Sequence, residues 1–135
     1  MMHHLTYEID ERLITQELEF WSAIGFTPYG SRRRKRGNPP FYFYWCIGGD
    51  HGHAIELLPV SEPHLWGLGH VAYCVPLRRW EIALKAAARW AIRCELNPQY
   101  YDFGLHAFLH SPSGHVVEMF TNQRALKAGP SLEVR

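Results

Sequence analysis

Two short patterns occur twice in this chain of 135 residues, in the same order and at nearly the same spacing. Residues 3–9 read HHLTYEI and residues 69–75 read GHVAYCV, so His4 and Tyr7 match His70 and Tyr73 at an offset of 66. Residues 52–58 (GHAIELL) and 114–120 (GHVVEMF) align Gly52, His53 and Glu56 with Gly114, His115 and Glu118 at an offset of 62. Fixed-period self-similarity constrains architecture more than any local propensity, because each unit must solve the same packing problem. The chain reads as one domain made of two modules, about 1–60 and 67–121, with a polar tail over 122–135.

The modules share a pattern of elements. HHLTYEI alternates, placing Leu5, Tyr7 and Ile9 on one face and His4, Thr6 and Glu8 on the other, as in a strand with one buried side. Over 10–24, Ile14, Leu18, Trp21 and Ile24 recur near helical spacing, and Gly25 ends the helix. GHVAYCV starts the second module, and Trp80, Leu84, Ala87 and Ala91 mark its helical stripe. Strands are expected at 26–33, 41–48 and 53–58, then at about 93–96, 106–111 and 115–120, separated by turn chemistry such as GGDHG and SPSG. Each module is therefore βαβββ, an α+β arrangement.

Composition narrows the class. Hydrophobic residues make up 47% and charged residues 20%, which excludes wholesale disorder. No apolar run reaches the roughly 18 residues of a membrane span, and the N-terminus lacks the basic-then-apolar order of a signal peptide. Three widely spaced cysteines (Cys46, Cys74, Cys94) with no CxxC argue against a disulfide framework and a zinc ribbon, and point to a reducing cytoplasm. The net charge of +1 hides a run of five basic residues at 32–36; the rest carries 9 basic against 13 acidic residues, so a nucleic-acid partner is not expected. That run reads first as a solvated hairpin tip, and second as a clamp for an anionic substrate or acidic partner.

The chemistry lies where the repeat meets the strand pattern. His4 and His70 open equivalent strands, and Glu56 and Glu118 interrupt strands that are otherwise apolar. A buried carboxylate without a partner costs several kcal/mol, and two brought together repel. A divalent cation held by His4, Glu56, His70 and Glu118 answers every one of these groups; two hydrogen-bonded His–Glu pairs without metal are the alternative. Glu8 and Cys74 hold equivalent positions, four residues after His4 and His70, with strand parity that aims both at the same face. Glu8 fits a proton acceptor or a substrate contact, and Cys74 fits a small filler better than a nucleophile. His106 and His110 share one parity and are candidate pocket residues, whereas His53 and His115 read as residues at a rim. The alternating aromatics at 41–45 fit a core strand with one face able to line an apolar pocket.

HHLTYEI, the helix ending FWSAIGF, GHAIELL, GHVAYCV and FLHSPSGHVVEMF together resemble the vicinal oxygen chelate superfamily over about residues 3–121. That group includes glyoxalases, epimerases, extradiol dioxygenases and fosfomycin- or bleomycin-resistance proteins. The resemblance implies tandem βαβββ modules forming a curved, partly closed mixed sheet around a metal-centred cavity, with ligands at His4, Glu56, His70 and Glu118. It implies one divalent ion per site (Ni, Co, Zn, Mn or Fe), and a lyase or isomerase of the glyoxalase type acting on a small substrate that chelates through adjacent oxygens. Glu118 or Glu56 would remove the α-proton, with Glu8, Cys74 and His110 lining the substrate pocket. The alternatives are an extradiol-type dioxygenase and a non-catalytic antibiotic-binding resistance protein. Two departures matter: Glu8 stands where bacterial-type glyoxalases carry an arginine that holds glutathione, and Ser111 replaces an aspartate before Pro112 in the closing turn. Small two-module relatives often pair, and Leu65, Trp66 and Leu68 in the linker suit a covered contact, so a homodimer sharing its metal sites between chains is expected.

Overall fold

A computed structural model describes residues 3–33, 42–48, 53–66, 69–74, 77–95 and 106–120. The first half runs β1 (His4–Asp10), α1 (Ile14–Ala23), β2 (Phe26–Arg33), β3 (Tyr42–Gly48) and β4 (Ala54–Val60). The second runs β5 (Val71–Cys74), α2 (Leu77–Ala87) with a short 3-10 turn over Ala88–Trp90, β6 (Ala91–Glu95), β7 (His106–His110) and β8 (Val116–Phe120). The fold is mixed α+β. Each half makes a four-stranded sheet, ordered β1-β4-β3-β2 and β5-β8-β7-β6, in which the first strand lies parallel to the last and the other pairs are antiparallel.

Local chemistry sets the element ends. The helix expected from residue 10 begins at Ile14 because β1 runs on to Asp10, whose side chain accepts the Arg12 N–H at 2.9 Å while its carbonyl accepts the Leu13 N–H at 2.8 Å. This aspartate turn satisfies donors that would otherwise continue a strand or a helix. Gly25, at φ 103°, takes the left-handed conformation that ends α1 and turns the chain into β2.

The alternation of β1 is realised: Tyr7 and Ile9 are buried, while His4 and Thr6 are exposed. Ile55 and Leu57 of β4, Tyr73 of β5, Ala107 and Leu109 of β7, and Val117 and Met119 of β8 are buried in the same way. All of them join one core with Phe20, Trp21 and Ile24 of the first half and Ala83, Leu84 and Ala87 of the second. Trp21 and Ala87 stand at the repeat offset of 66, and both are fully buried. A large residue on α1 is thus matched by a small one on α2, as close packing of two related helices requires.

The centre of that core is polar by repeat. Tyr7 and Tyr73 meet hydroxyl to hydroxyl at 2.6 Å. Left unpaired, each buried hydroxyl would cost about 1–3 kcal/mol; paired, they anchor β1 to β5. Burial pushes Tyr7 up to about 12 and Tyr73 higher still, so both hydroxyls stay protonated. The equivalent histidines cross between halves: His53 stacks on Tyr73 with centroids 5.6 Å apart, and His115 meets Tyr7 edge-on at 5.0 Å. His53 and His115 thus pack across the two halves, and His115, buried at 2% exposure, is not at a rim.

Among the described residues β1 and β5 meet through side chains, and no backbone ladder joins the halves. Among the described residues the strands form two sheets of four, and the single partly closed sheet expected from the sequence does not form within one chain.

Candidate metal centre

Since odd-numbered positions of β1, β4, β5, β7 and β8 point into the shared core, even-numbered positions occupy the opposite face of each sheet. In the first sheet that face carries His4, Thr6 and Glu8 on β1 and Glu56 and Leu58 on β4, with Thr6 registered against Glu56 and Glu8 against Leu58. In the second it carries Ala72 and Cys74 on β5, His106, Phe108 and His110 on β7, and Glu118 and Phe120 on β8; His70 immediately precedes β5. His4, Glu8, Glu56, Cys74, His106, His110 and Glu118 thus lie on one of these two faces.

The second sheet brings its pair together. Glu118 is 8% exposed; its Oε1 accepts from His106 Nδ1 at 2.6 Å and its Oε2 lies 3.6 Å from His70 Nε2. The registration of Ala72 against Glu118 puts a small residue beside the carboxylate and leaves space for these rings. His106 stacks over Phe120, and His70 meets the edge of Phe108. The Glu118 bracing role of His106 was not legible beforehand; the only signal was its parity with His110, which is exposed and four residues further along β7.

The first sheet holds its groups more loosely. Glu56 accepts from Thr6 Oγ1 at 3.3 Å, and His4 contacts His3, ring nitrogen to ring nitrogen, at 2.8 Å. Glu8 accepts from the backbone N–H and Nδ1 of His64, at 3.3 and 3.1 Å, and the His64 hydrogen bond is the main reason its carboxyl lies below the usual range. Cys74 is exposed as a residue, but partial burial of the thiol pushes its pKa up, which favours a filler over a nucleophile.

Carboxylate oxygens and imidazole nitrogens suit Ni, Co, Zn, Mn and Fe, so the donor types fit a divalent ion. Their arrangement within one chain does not: among the described residues no group of three or more His, Cys, Asp or Glu side chains is placed to hold a metal ion. His4 and Glu56 lie on one sheet and His70 and Glu118 on the other, each pair turned away from the shared core.

A buried network fixes the turn that feeds Glu118 into place. Glu17 of α1, fully buried, accepts from Trp21 Nε1 at 2.9 Å and from the Ser113 N–H at 2.7 Å. Ser113 Oγ accepts the Asp10 N–H at 2.9 Å, and His115 Nε2 donates to the Glu8 carbonyl at 2.6 Å. Ser111 Oγ accepts the His115 N–H at 3.0 Å, taking over the turn-closing task that an aspartate would serve. Glu17 escaped the sequence reading because a glutamate on a helix is ordinarily solvated. Of the basic run, Arg32 and Arg33 end β2, and residues 34–36 lie outside the described residues, as does Leu68.

No protein-family model matches the chain, and no curated protein does. Solved structures do. A glyoxalase family protein from Bacillus cereus superposes with a TM-score of 0.68 at 13% identity, covering 90% of this chain and 93% of that one. The fosfomycin resistance protein FosX from Listeria monocytogenes gives a TM-score of 0.67 at 12% identity, covering 91% and 94%. A mutant of the same FosX, in complex with Mn(II) and 1S,2S-dihydroxypropylphosphonic acid, gives a TM-score of 0.67 at 10% identity over 96% and 98%. No helix among the described residues is long and apolar enough to cross a membrane. In architecture the chain is similar to glyoxalase family proteins and FosX, and it shares their fold.

Proposed function

We propose that the chain is a metal-dependent lyase or isomerase of the glyoxalase type, working in the cytoplasm as a two-fold homodimer. The observation that carries this reading is Glu118. It is a nearly buried carboxylate in an otherwise apolar strand, braced by His106 at 2.6 Å and beside His70 at 3.6 Å, on the face turned away from the core. His4 and Glu56 repeat that pair on the other sheet. Four donors require the first-module face of one chain to meet the second-module face of another, which also joins β1 and β5 edges that are unpaired to each other here.

His4, Glu56, His70 and Glu118 would hold a divalent ion, which would supply Lewis-acid stabilisation of negative charge developing on the substrate. The remaining work belongs to the chain. Glu118 or Glu56 takes the α-proton as general base. His106 fixes Glu118 by holding Oε1, leaving Oε2 on the His70 side. The apolar neighbours Phe108 and Phe120 reduce water around the carboxylate, which strengthens its electrostatic interactions. A resistance function is the second reading, favoured by the FosX complex with Mn(II) and a diol phosphonate.

Metal analysis of protein purified without added metal tests the first step. Stoichiometric Ni, Co, Zn or Mn in the parent, and none in folded His70→Ala and Glu118→Ala variants, is expected; variants that bind like the parent would remove the four-ligand site. Turnover of α-oxoaldehyde hemithioacetals against turnover or binding of fosfomycin separates the two readings. Mixing inactive His4→Ala and His70→Ala chains tests the sharing. A mixed dimer gathers both lesions in one site and keeps the other intact, so activity returns towards about half the parental level. Absence of recovery while subunits exchange would show that each chain builds its own site.

A further inference from the structure

Glu8 has no task in that proposed reaction, yet it stands on the proposed reactive face. Two residues along β1 from Thr6, it lies roughly 7 Å from the Thr6–Glu56 pair by the rise of a strand. Neither β1 (HLTYEID) nor β4 (AIELLPV) contains a lysine or arginine; of their three carboxylates Asp10 is held by Arg12 at 2.7 Å, and neither strand brings a permanent cation to Glu8 or Glu56. Glu56 has a use beside a divalent ion; Glu8 is a surplus negative charge. Its side chain is 32% exposed, and the group that answers it is His64 of the linker, itself 89% exposed. An exposed imidazole holds a carboxylate weakly, by up to about 1 kcal/mol, and a better donor displaces it.

We infer that Glu8 is a specificity-determining residue: it receives a cationic group, of the alkylammonium class, carried by the substrate a few bonds from the two chelating oxygens. His64 stands in that place until the substrate arrives, offering two N–H donors to Glu8 Oε1 as an ammonium would. The same charge disfavours substrates whose distal group is a carboxylate, because no lysine or arginine of β1 or β4 offsets it. This inference rests on the proposed chelation of the substrate at the His4, Glu56, His70 and Glu118 site.

Hydroxamates test it, since they chelate through two adjacent oxygens and are not turned over. Calorimetric titration of the full chain with Mn(II) compares γ-aminobutyric hydroxamate, valeric hydroxamate and glutaric monohydroxamate, which differ chiefly in distal charge. The cationic ligand is expected to bind about fivefold tighter than the neutral one, and the anionic one several-fold more weakly. Glu8→Gln, which keeps size and hydrogen bonding, collapses the three affinities towards one value, and Glu8→Lys reverses their order. Equal affinities in the parent, or a preference that survives Glu8→Gln, overturn the role of Glu8 while leaving the chelation reading in place. If none of the three binds, the chelation reading fails and this inference fails with it.

Discussion

Replacing Glu17 by alanine should be among the most destabilising single changes available to this chain. The carboxylate is fully buried and accepts two hydrogen bonds, from Trp21 Nε1 at 2.9 Å and the Ser113 N–H at 2.7 Å. Removing it leaves the buried Trp21 Nε1–H and the part-buried Ser113 N–H without an acceptor, at a cost of about 1–3 kcal/mol for a fully buried donor, and opens space where the side chain packed. The expected loss is about 3–6 kcal/mol, a large share of the roughly 5–15 kcal/mol that holds a domain of this size folded. Glu17→Gln retains one acceptor oxygen and turns an amide N–H₂ against the other donor, so its cost is about 2 kcal/mol. Trp21→Phe removes one of the donors; made together with Glu17→Gln, the pair should cost less than the sum of the two changes. Urea unfolding followed by circular dichroism gives all four corners of that cycle. A Glu17→Ala cost below about 1 kcal/mol would refute the reasoning, because an orphaned buried Trp21 donor and the lost packing cannot be that cheap. So would a Gln variant less stable than the Ala variant.

Three further outcomes are expected. The Arg12 side chain and backbone N–H hold the Asp10 carboxyl at about 2 against an ordinary 3.8. A folded value below the unfolded one gives stability that is complete above about pH 4 and is lost as pH falls through 3.8 towards 2, so Asp10→Asn should flatten urea midpoints across that window. Turnover of the methylglyoxal–glutathione adduct should be weak or absent, since Glu8 presents a carboxylate to an anionic thiol; spectrophotometry of the thioester would reveal robust turnover if this is wrong. Tyr7→Phe leaves the Tyr73 hydroxyl without its 2.6 Å partner and should lower thermal stability by about 1–3 kcal/mol, while metal content, measured on the purified variant, is retained.

Much of the strand layout was legible because a strand with one buried side writes its period into the sequence. Leu5, Tyr7 and Ile9 against His4, Thr6 and Glu8 need no partner to be read, and repetition at an offset of 66 doubles the signal. What escaped is what depends on contacts distant in sequence. His106 meets Glu118 across two strands, Glu17 meets Ser113 across the modules, and His115 donates to Glu8 O, 107 residues away. A residue such as Glu17 looks solvated when only its helix is visible; its burial follows from α1 packing into a core built by both halves, beside the turn that carries Ser113.

That shared core also explains why the candidate metal ligands are divided. A pair of four-stranded sheets with one apolar face each can bury both faces by packing them, with their helices, against each other. Once they do so, the Tyr7–Tyr73 contact locks the arrangement at its centre, and the faces bearing His4 with Glu56 and His70 with Glu118 must look outwards. The alternation of each strand ties the two decisions together: a one-residue slip that turned Glu118 inwards would turn Val117 and Met119 out. The same hydrophobic pattern that closes the core inside one chain therefore places each His–Glu pair on the face turned away from that core.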